Sequence, residues 1–381
     1  MSYRRRRRSP LPWLLLVGLL LAAGAYWVWP SAPPAAQLAQ ASPTSSPPPA
    51  APLIASLPSP TVVANLAGHA DRLLSEGKVE EAAMAYEQAV KARPTDAGLL
   101  ARHGRALLLS QKGKLAVTPL EKATQLEPTR AEYLALYAYA LGWADQYDKA
   151  VAMAQKATAL APTEALGFAA SAEAFADSRQ LEKALASGRR AIELNDRSAD
   201  AHRSYGYALQ VFGKFDEAAA EYQRAVELEP KLTYYRSTLA SLYRRSGKTK
   251  EAIAEFEKLI ELEPKTALHH EELALVYYGQ EDYENAVPQF KIAAELDPKR
   301  ARPLVYLGWT YYLSRNYEVA REHFQKALDL ESDRAETHQG LGLSLANLGR
   351  CGEARPRLER ALELDPSLKL ARDGLQACAN R

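Results

Sequence analysis

Small and large apolar positions return along residues 63 to 368 with a period of 34. Starting the repeat at Val63, Ala97, Ala131, Ala165, Ala199, Thr233, Ala267, Ala301 and Ala335 aligns nine copies. Position 20 is then Ala in all nine, from Ala82 to Ala354, and position 8 is always Gly or Ala, including Gly104, Gly206, Gly308 and Gly342. Position 11 is always large, from Leu73 to Leu345, and position 24 is mostly a bulky plug such as Tyr86, Tyr222, Phe256, Phe290 and Phe324. Position 27 is Ala in eight copies and Leu259 in the sixth. Small residues let two helices approach to about 8 to 10 Å while the large ones fill the groove between them, so each unit reads as an antiparallel helix hairpin.

Turn residues agree with this spacing. Gly77, Gly113, Gly213, Gly247 and Gly279 fall between the two helices, where a left-handed conformation suits glycine. Position 32 is Pro at 94, 128, 162, 230, 264, 298 and 366, with Asp196 and Ser332 in the gaps, and ends the second helix. Pro303 falls in a first turn, where proline is tolerated, whereas Pro119, Pro288 and Pro356 lie past the start of the second helix and are expected to kink it. The third and fourth repeats put Ala154 and Gly188 where the others have a plug, so the middle of the stack is expected to be its loosest part.

The chain before the repeats has a different character. Arg4 to Arg8 precede an uncharged stretch from Leu11 to Trp29, which as a helix would reach roughly 28 Å, near the thickness of a bilayer's hydrocarbon core. Trp13 at one end and Tyr26, Trp27 and Trp29 at the other suit interfacial belts, and the arginines hold the N-terminus in the cytoplasm. Residues 1–10 are therefore read as a basic tail and 11–29 as a transmembrane signal anchor. Ala23-Gly24-Ala25 keeps a cleaved signal peptide open as the rival reading. Residues 30–62, rich in Pro, Ala and Ser, form a linker that could extend to roughly 100 Å at about 3.1 Å per residue. In both readings the repeats leave the cytoplasm, for the periplasmic side of an inner membrane or the cell exterior.

Charge sharpens the picture. The chain of 381 residues has 48 Lys+Arg against 46 Asp+Glu, but five of the positives are Arg4 to Arg8, so the remainder is slightly acidic and is no general nucleic-acid binder. With 20 Tyr against 7 Phe, many rings carry a hydroxyl suited to half-exposed helix faces.

The repeat pattern resembles the tetratricopeptide repeat (TPR) family: small at position 8, large at 11, alanine at 20, aromatic at 24, alanine at 27 and proline at 32. The resemblance implies an all-α TPR-type α-solenoid, a right-handed superhelix of helix hairpins with a concave inner face, in addition to the N-terminal transmembrane helix. Nine repeats over 63–368 should make roughly one turn, with 369–381 a capping helix. In this family partners usually lie along first-helix positions 2, 5, 9, 12 and 13. Those columns hold Tyr139, Trp143, Tyr207, Tyr234, Tyr278, Trp309 and Tyr312, with Arg105, Arg203, Arg244 and Arg245 among them. Aromatics and Arg anchor interfaces, although individual rings can equally pack between hairpins. The Lys and Asn pattern of the family's carboxylate clamp is absent.

No catalytic or metal-binding constellation emerges, and no cofactor is expected. His269 and His270 are adjacent, about 100° apart on a helix, and read as surface or groove residues. Ser246-Gly247-Lys248-Thr249 lacks the leading Gly of a phosphate loop, since Leu242 stands there. Cys351 and Cys378 should share one edge of the solenoid, where an oxidising compartment permits either a disulfide or two thiols. The expected function is a non-enzymatic, membrane-tethered scaffold that holds a peptide or protein in its groove within an extracytoplasmic assembly or secretion complex. A polysaccharide-binding or glycan-export accessory using the same rings is the alternative.

Overall fold

The computed structural model describes residues 60–330 and 333–380. Among them, eighteen helices pair into nine hairpins, 60–92, 97–126, 131–160, 165–194, 199–228, 233–262, 267–296, 301–330 and 335–364, and a nineteenth helix, Lys369–Ala379, follows. The first helix begins at Pro60, three residues ahead of the first repeat start. The basic tail, the 11–29 span and the linker up to residue 59 lie outside the described residues. No helix among the described residues is long and apolar enough to cross a membrane.

Hairpins stack in chain order, with first helices forming an inner layer covered on most sides and second helices an outer layer that buries one stripe. In hairpin 4 the first helix (Ala165–Asp177) buries Gly167, Ala169, Ala170, Ser171, Ala172, Ala174, Phe175 and Ala176, whereas the second (Leu181–Leu194) buries only Ala184, Gly188 and Ala191. The position-20 alanine is 0% exposed in all nine hairpins. Opposite it, the position-24 plug meets the position-8 small residue. A Cβ on Gly206 would stand 2.7 Å from the Tyr222 ring, and one on Gly308 would stand 2.7 Å from Phe324. A methyl-sized change at either place forces the plug to move.

The turn between helices uses a single left-handed residue, at position 15 of every hairpin. Gly77, Gly213, Gly247 and Gly349 take it with φ from 74 to 83°, but Gln111, Asp145, Arg179, Glu281 and Arg315 adopt it too, at φ from 58 to 61°. Each non-glycine residue there costs about 1 to 2 kcal/mol. Gly113 and Gly279, expected in these turns, are helical instead. Gly113 opens the second helix of hairpin 2 and has no room for a Cβ because Trp143 packs on it, while Gly279 ends the first helix of hairpin 7.

At Gly188, where the middle of the stack was expected to lack a plug, the gap is filled from the next hairpin by the Tyr205 ring, which a Cβ at 188 would strike. Asp196, in the proline place, is tied through its carbonyl to His202 Nε2 at 2.9 Å. The helices Gly113–Leu126, Tyr283–Leu296 and Cys351–Leu364 run on through Pro119, Pro288 and Pro356, each giving up one backbone hydrogen bond, and Pro303 lies in the first turn of Ala301–Leu313. The final helix covers the last hairpin with Ala371, Gly374 and Cys378, and Cys378 is joined to Cys351 in a disulfide, Cα to Cα 5.3 Å. Closing a loop of this size contributes about 2 to 4 kcal/mol.

Since position 20 has no free volume, Ala218→Phe should lower stability by about 1 to 3 kcal/mol. Hydrogen exchange should accelerate in hairpins 4 to 6 and, through contacts that hairpin 5 makes with them, in hairpins 1 and 2, and leave hairpins 8 and 9 unchanged; a uniform increase along the array would contradict that contact pattern.

Candidate binding site on the inner face

First-helix side chains point to the inside of the curve, and in hairpins 1 to 6 that inside is closed by the protein itself. Arg105 in hairpin 2 reaches hairpin 5, its Nη2 donating to Asp200 Oδ2 at 2.8 Å, and the other carboxylate oxygen accepts from Tyr235 of hairpin 6 at 2.8 Å. Gln111 Nε2 donates to Ser237 Oγ at 3.1 Å. The turn at Gly77 lies against the Lys231 carbonyl, where a Cβ would not fit, and Lys231 Nζ donates to the Ser75 carbonyl at 3.4 Å. Val79, Leu109, Leu209, Tyr234 and Leu239 belong to one apolar cluster that joins hairpins 1 and 2 to hairpins 5 and 6. The array therefore comes back on itself within about half its hairpins, which corrects the expected single turn over nine. The reason is the run of Ala on the inner layer of hairpins 3 and 4, including Ala135, Ala138, Ala169 and Ala172, which bring successive first helices close together.

This closure decides the fate of the eleven expected groove residues. Six of them, Arg105, Tyr139, Trp143, Arg203, Tyr207 and Tyr234, gather around two adjoining cavities. Arg203 is 8% exposed, pairs with Glu173, and carries its guanidinium over the Tyr234 ring at 4.9 Å and the Tyr207 ring at 5.9 Å. Tyr139 shares a hydrogen bond with Ser204 Oγ at 3.0 Å, and Tyr207 donates to Asp177. Tyr234 is buried under Arg203 and offers no face to a sugar or peptide. The cavity between Arg105 and Tyr234 measures only about 20 Å³, room for about one water. The second, bounded by Trp143, Tyr147, Glu173, Asp177 and Tyr207, measures about 300 Å³, the lower end of the range for ligand sites.

Electrostatics follow burial. Attraction to Asp200 holds the Arg105 guanidinium above its ordinary pKa, and although burial works against it, that same pairing keeps Asp200 below the usual carboxylate range. Burial pushes Glu173 and Asp177 up in spite of Arg203 and the Tyr207 hydrogen bond, and it raises Tyr139, Tyr207, Tyr234 and Tyr235 as well.

The remaining five expected residues lie on hairpins 6 to 8. Arg244 Nε stands 3.1 Å from Glu272 Oε2, in a cluster where Arg300 and Arg302 hold the fully buried Glu271 at 2.5 and 2.7 Å. Arg245 is exposed. Tyr278 packs edge-on against Tyr306 at 5.4 Å, and Trp309 edge-on against Tyr312 at 5.6 Å and Phe324 at 5.2 Å. These three rings are half-buried, and beside them Leu313 is 49% exposed.

His269 and His270 correct the surface reading. They are 4% and 6% exposed and tie the stack together: His269 Nε2 meets Glu263 at 2.8 Å, and His270 bridges Gln289 Oε1 at 2.7 Å and the Pro264 carbonyl at 3.2 Å. His202, also at position 4, repeats this with Glu221 at 2.7 Å and the Asp196 carbonyl. A His at position 4 with Glu or Gln at position 23 was the signal available in the sequence.

The tetratricopeptide repeat family model matches residues 68–131, 169–232, 237–301 and 272–336, and the chain belongs to that family. The solved Cut9–Hcn1 hetero-tetramer of the APC/C is similar with a TM-score of 0.55 and 17% identity, over 77% of this chain and 58% of that one. The C-terminal part of a TPR repeat-containing protein from Cytophaga hutchinsonii gives 0.52 and 20%, over 63% of this chain and 99% of that one. YrrB, described as a TPR protein with an unusual peptide-binding site, gives 0.42 and 21%, over 50% and 97%. The first two likenesses concern the fold. No curated protein matches the sequence.

Asp200→Ala should cost about 2 to 3 kcal/mol, somewhat below the range for fully buried pairs because Arg105 keeps some solvent. Denaturant melts should show the loss, and hydrogen exchange should speed up in hairpins 2 and 6 as well as 5; loosening confined to hairpin 5 would mean that the closure is energetically silent. Separately, burial opposes protonation of His202, but the Glu221 and Asp196 hydrogen bonds outweigh it and raise its pKa, whereas burial lowers His103 and His323. His202 thus contributes stability below the unfolded value of about 6.5 that is lost as pH rises through its higher folded value. Imidazole NMR titration should place His202 above about 6.5 and His323 below it, and Glu221→Gln should bring His202 down.

Proposed function

We propose that this TPR protein is a non-enzymatic scaffold, tethered to a membrane by residues 11–29, that captures a protein or peptide partner outside the cytoplasm. The observation that carries the capture reading is the uncovered apolar surface of hairpin 8. Hairpins 2 to 6 spend their inner face on one another, while Trp309, Tyr312 and Leu313 keep accessible surface on the inner layer beyond the closed part. Half-buried aromatics already held by edge-on neighbours lose little freedom when a partner docks, so their apolar area converts efficiently into affinity. Arg245, exposed one hairpin before Tyr278, supplies a rim charge.

The extracytoplasmic location is supported by the charge step from Arg4–Arg8 to an uncharged span and by the Cys351–Cys378 disulfide, a bond that persists in oxidising compartments. A Pro-, Ala- and Ser-rich linker over residues 30–59 would let the solenoid search a volume around its anchor, which raises the effective concentration of a partner held at the same surface.

A proximity-labelling enzyme fused to the C-terminus of the full chain tests both halves. Labelled proteins should be extracytoplasmic, and Trp309→Ala combined with Leu313→Ser should cut labelling of the main partner at least about tenfold without lowering helicity. Cytoplasmic labelling would refute the location, and an unchanged partner in the double variant would refute the surface.

A further inference from the structure

The cavity of about 300 Å³ beside hairpins 3 to 5 is not accounted for by stacking. Three of its rings, Trp143, Tyr147 and Tyr207, come from the end of one helix, the start of the next and the next-but-one hairpin, and three carboxylates, Asp145, Glu173 and Asp177, stand among them. Against these the wall carries one cation, Arg203, already committed to Glu173 and stacked between Tyr207 and Tyr234. Glu173 Oε1 takes both the Arg203 and the Ser204 hydrogen bonds, which leaves its second oxygen without a donor among the described residues. Asp177 accepts only from the neutral Tyr207 hydroxyl, with Arg203 and then Arg179 acting on it as charges from a distance. Asp145 is matched by Lys114 at 3.1 Å, a solvated pair at the mouth whose lysine is not part of the wall. The lining is therefore short of positive charge and rich in ring faces. Burial holding both Glu173 and Asp177 up is the electrostatic expression of the same shortage.

Ring faces and carboxylates attract one kind of group in common. From this arrangement we infer that the cavity binds an organic cation, an alkylammonium or guanidinium group, with Asp177 and Glu173 as counter-charges and Trp143, Tyr147 and Tyr207 as its walls. A guanidinium reaching Asp177 can also donate to the free oxygen of Glu173, since the two residues are one helical turn apart on Ala165–Asp177. The inference deepens the capture reading by naming what a partner would insert here: an Arg or Lys side chain, as a contact separate from the aromatic surface of hairpin 8. A free diamine or guanidino compound carries the same chemistry, and the assay separates the two sources.

The experiment is fluorescence anisotropy of a labelled, capped arginine-containing pentapeptide on the detergent-solubilised full chain, with the citrulline version as its neutral counterpart and agmatine as competitor. The arginine peptide should bind at least about tenfold more tightly than the citrulline one, with affinity falling as salt rises. Asp177→Asn should weaken it at least about tenfold, and Tyr147→Ala, at an exposed ring that the fold does not need, by about threefold, with melting temperatures unchanged in the second variant. Displacement by agmatine at concentrations similar to unlabelled peptide supports a small-molecule cation; much weaker displacement supports a side chain. Equal binding of the arginine and citrulline peptides, no binding of arginine peptide and agmatine alike, or indifference to both variants overturns the site. Partner labelling that survives alongside such a result leaves the scaffold reading standing, whereas cation binding without any partner labelling removes the scaffold reading and keeps the site.

Discussion

Nine alanines with no accessible surface set the geometry on which everything else depends. At each hairpin's waist the two helices meet over a methyl group, and the neighbouring position-8 residue gives way to the plug at position 24, so the pair can approach in only one way. Because the same approach recurs every 34 residues, the small rotation from one hairpin to the next accumulates in one sense. Positions 2, 5, 9 and 12 are thereby carried along a single inner surface. Where the inner layer is also lined with alanine, as in hairpins 3 and 4, the surface curves tightly enough for hairpins 5 and 6 to meet hairpins 1 and 2.

That meeting changes what holds the array together. A stack in which each unit touches only its neighbours has stability that is close to a sum of local terms, and either end can fray alone. The Arg105–Asp200–Tyr235 contact joins residues about 95 positions apart, and the apolar cluster around Leu109 and Tyr234 adds area to it. Loosening hairpin 2 then exposes hairpins 5 and 6, so the closed part behaves as one cooperative body. Charged groups at such a seam are no cheap source of stability, since desolvation offsets most of their attraction. What they impose is register: Asp200 is satisfied only when Arg105 and Tyr235 arrive together, so a slipped closure would strand a buried carboxylate. The C-terminal end lacks that help, and the disulfide to Cys351 restrains the final helix there.

How far this was legible in the sequence follows from the range of each interaction. The hairpins, their boundaries to within a few residues and the buried columns could be read because they are local and repeat nine times. Turn glycines were only half legible: position 15 must be left-handed, but five hairpins meet that with Gln111, Asp145, Arg179, Glu281 and Arg315, so glycine content misled at Gly113 and Gly279. Gly188 looked like a gap because its partner, Tyr205, sits in the following hairpin and breaks the column rule in compensation. The closure was not legible at all, since no periodicity links residue 105 to residue 200. For the same reason the expected groove residues divided unevenly: the columns identified the inner face correctly, but whether that face meets a partner or the protein's own far side depends on accumulated curvature.

Curvature also explains why a cavity survives where it does. Arg203 is long enough to span from hairpin 5 to Glu173 and Tyr234, and it fills the middle of the closed interior. Toward the turns of hairpins 3 and 4 the first helices end and the separation between walls is taken up by rings from Trp143, Tyr147 and Tyr207. An apolar void of that size would be expected to close by rotamer changes, or to cost stability if it stayed. Here the walls include carboxylates that need either solvent or a cation, so collapse would strand buried negative charge, and the space is held open by the groups that line it. The self-contact that covers most of the inner face therefore concentrates its remaining polar demand in one place.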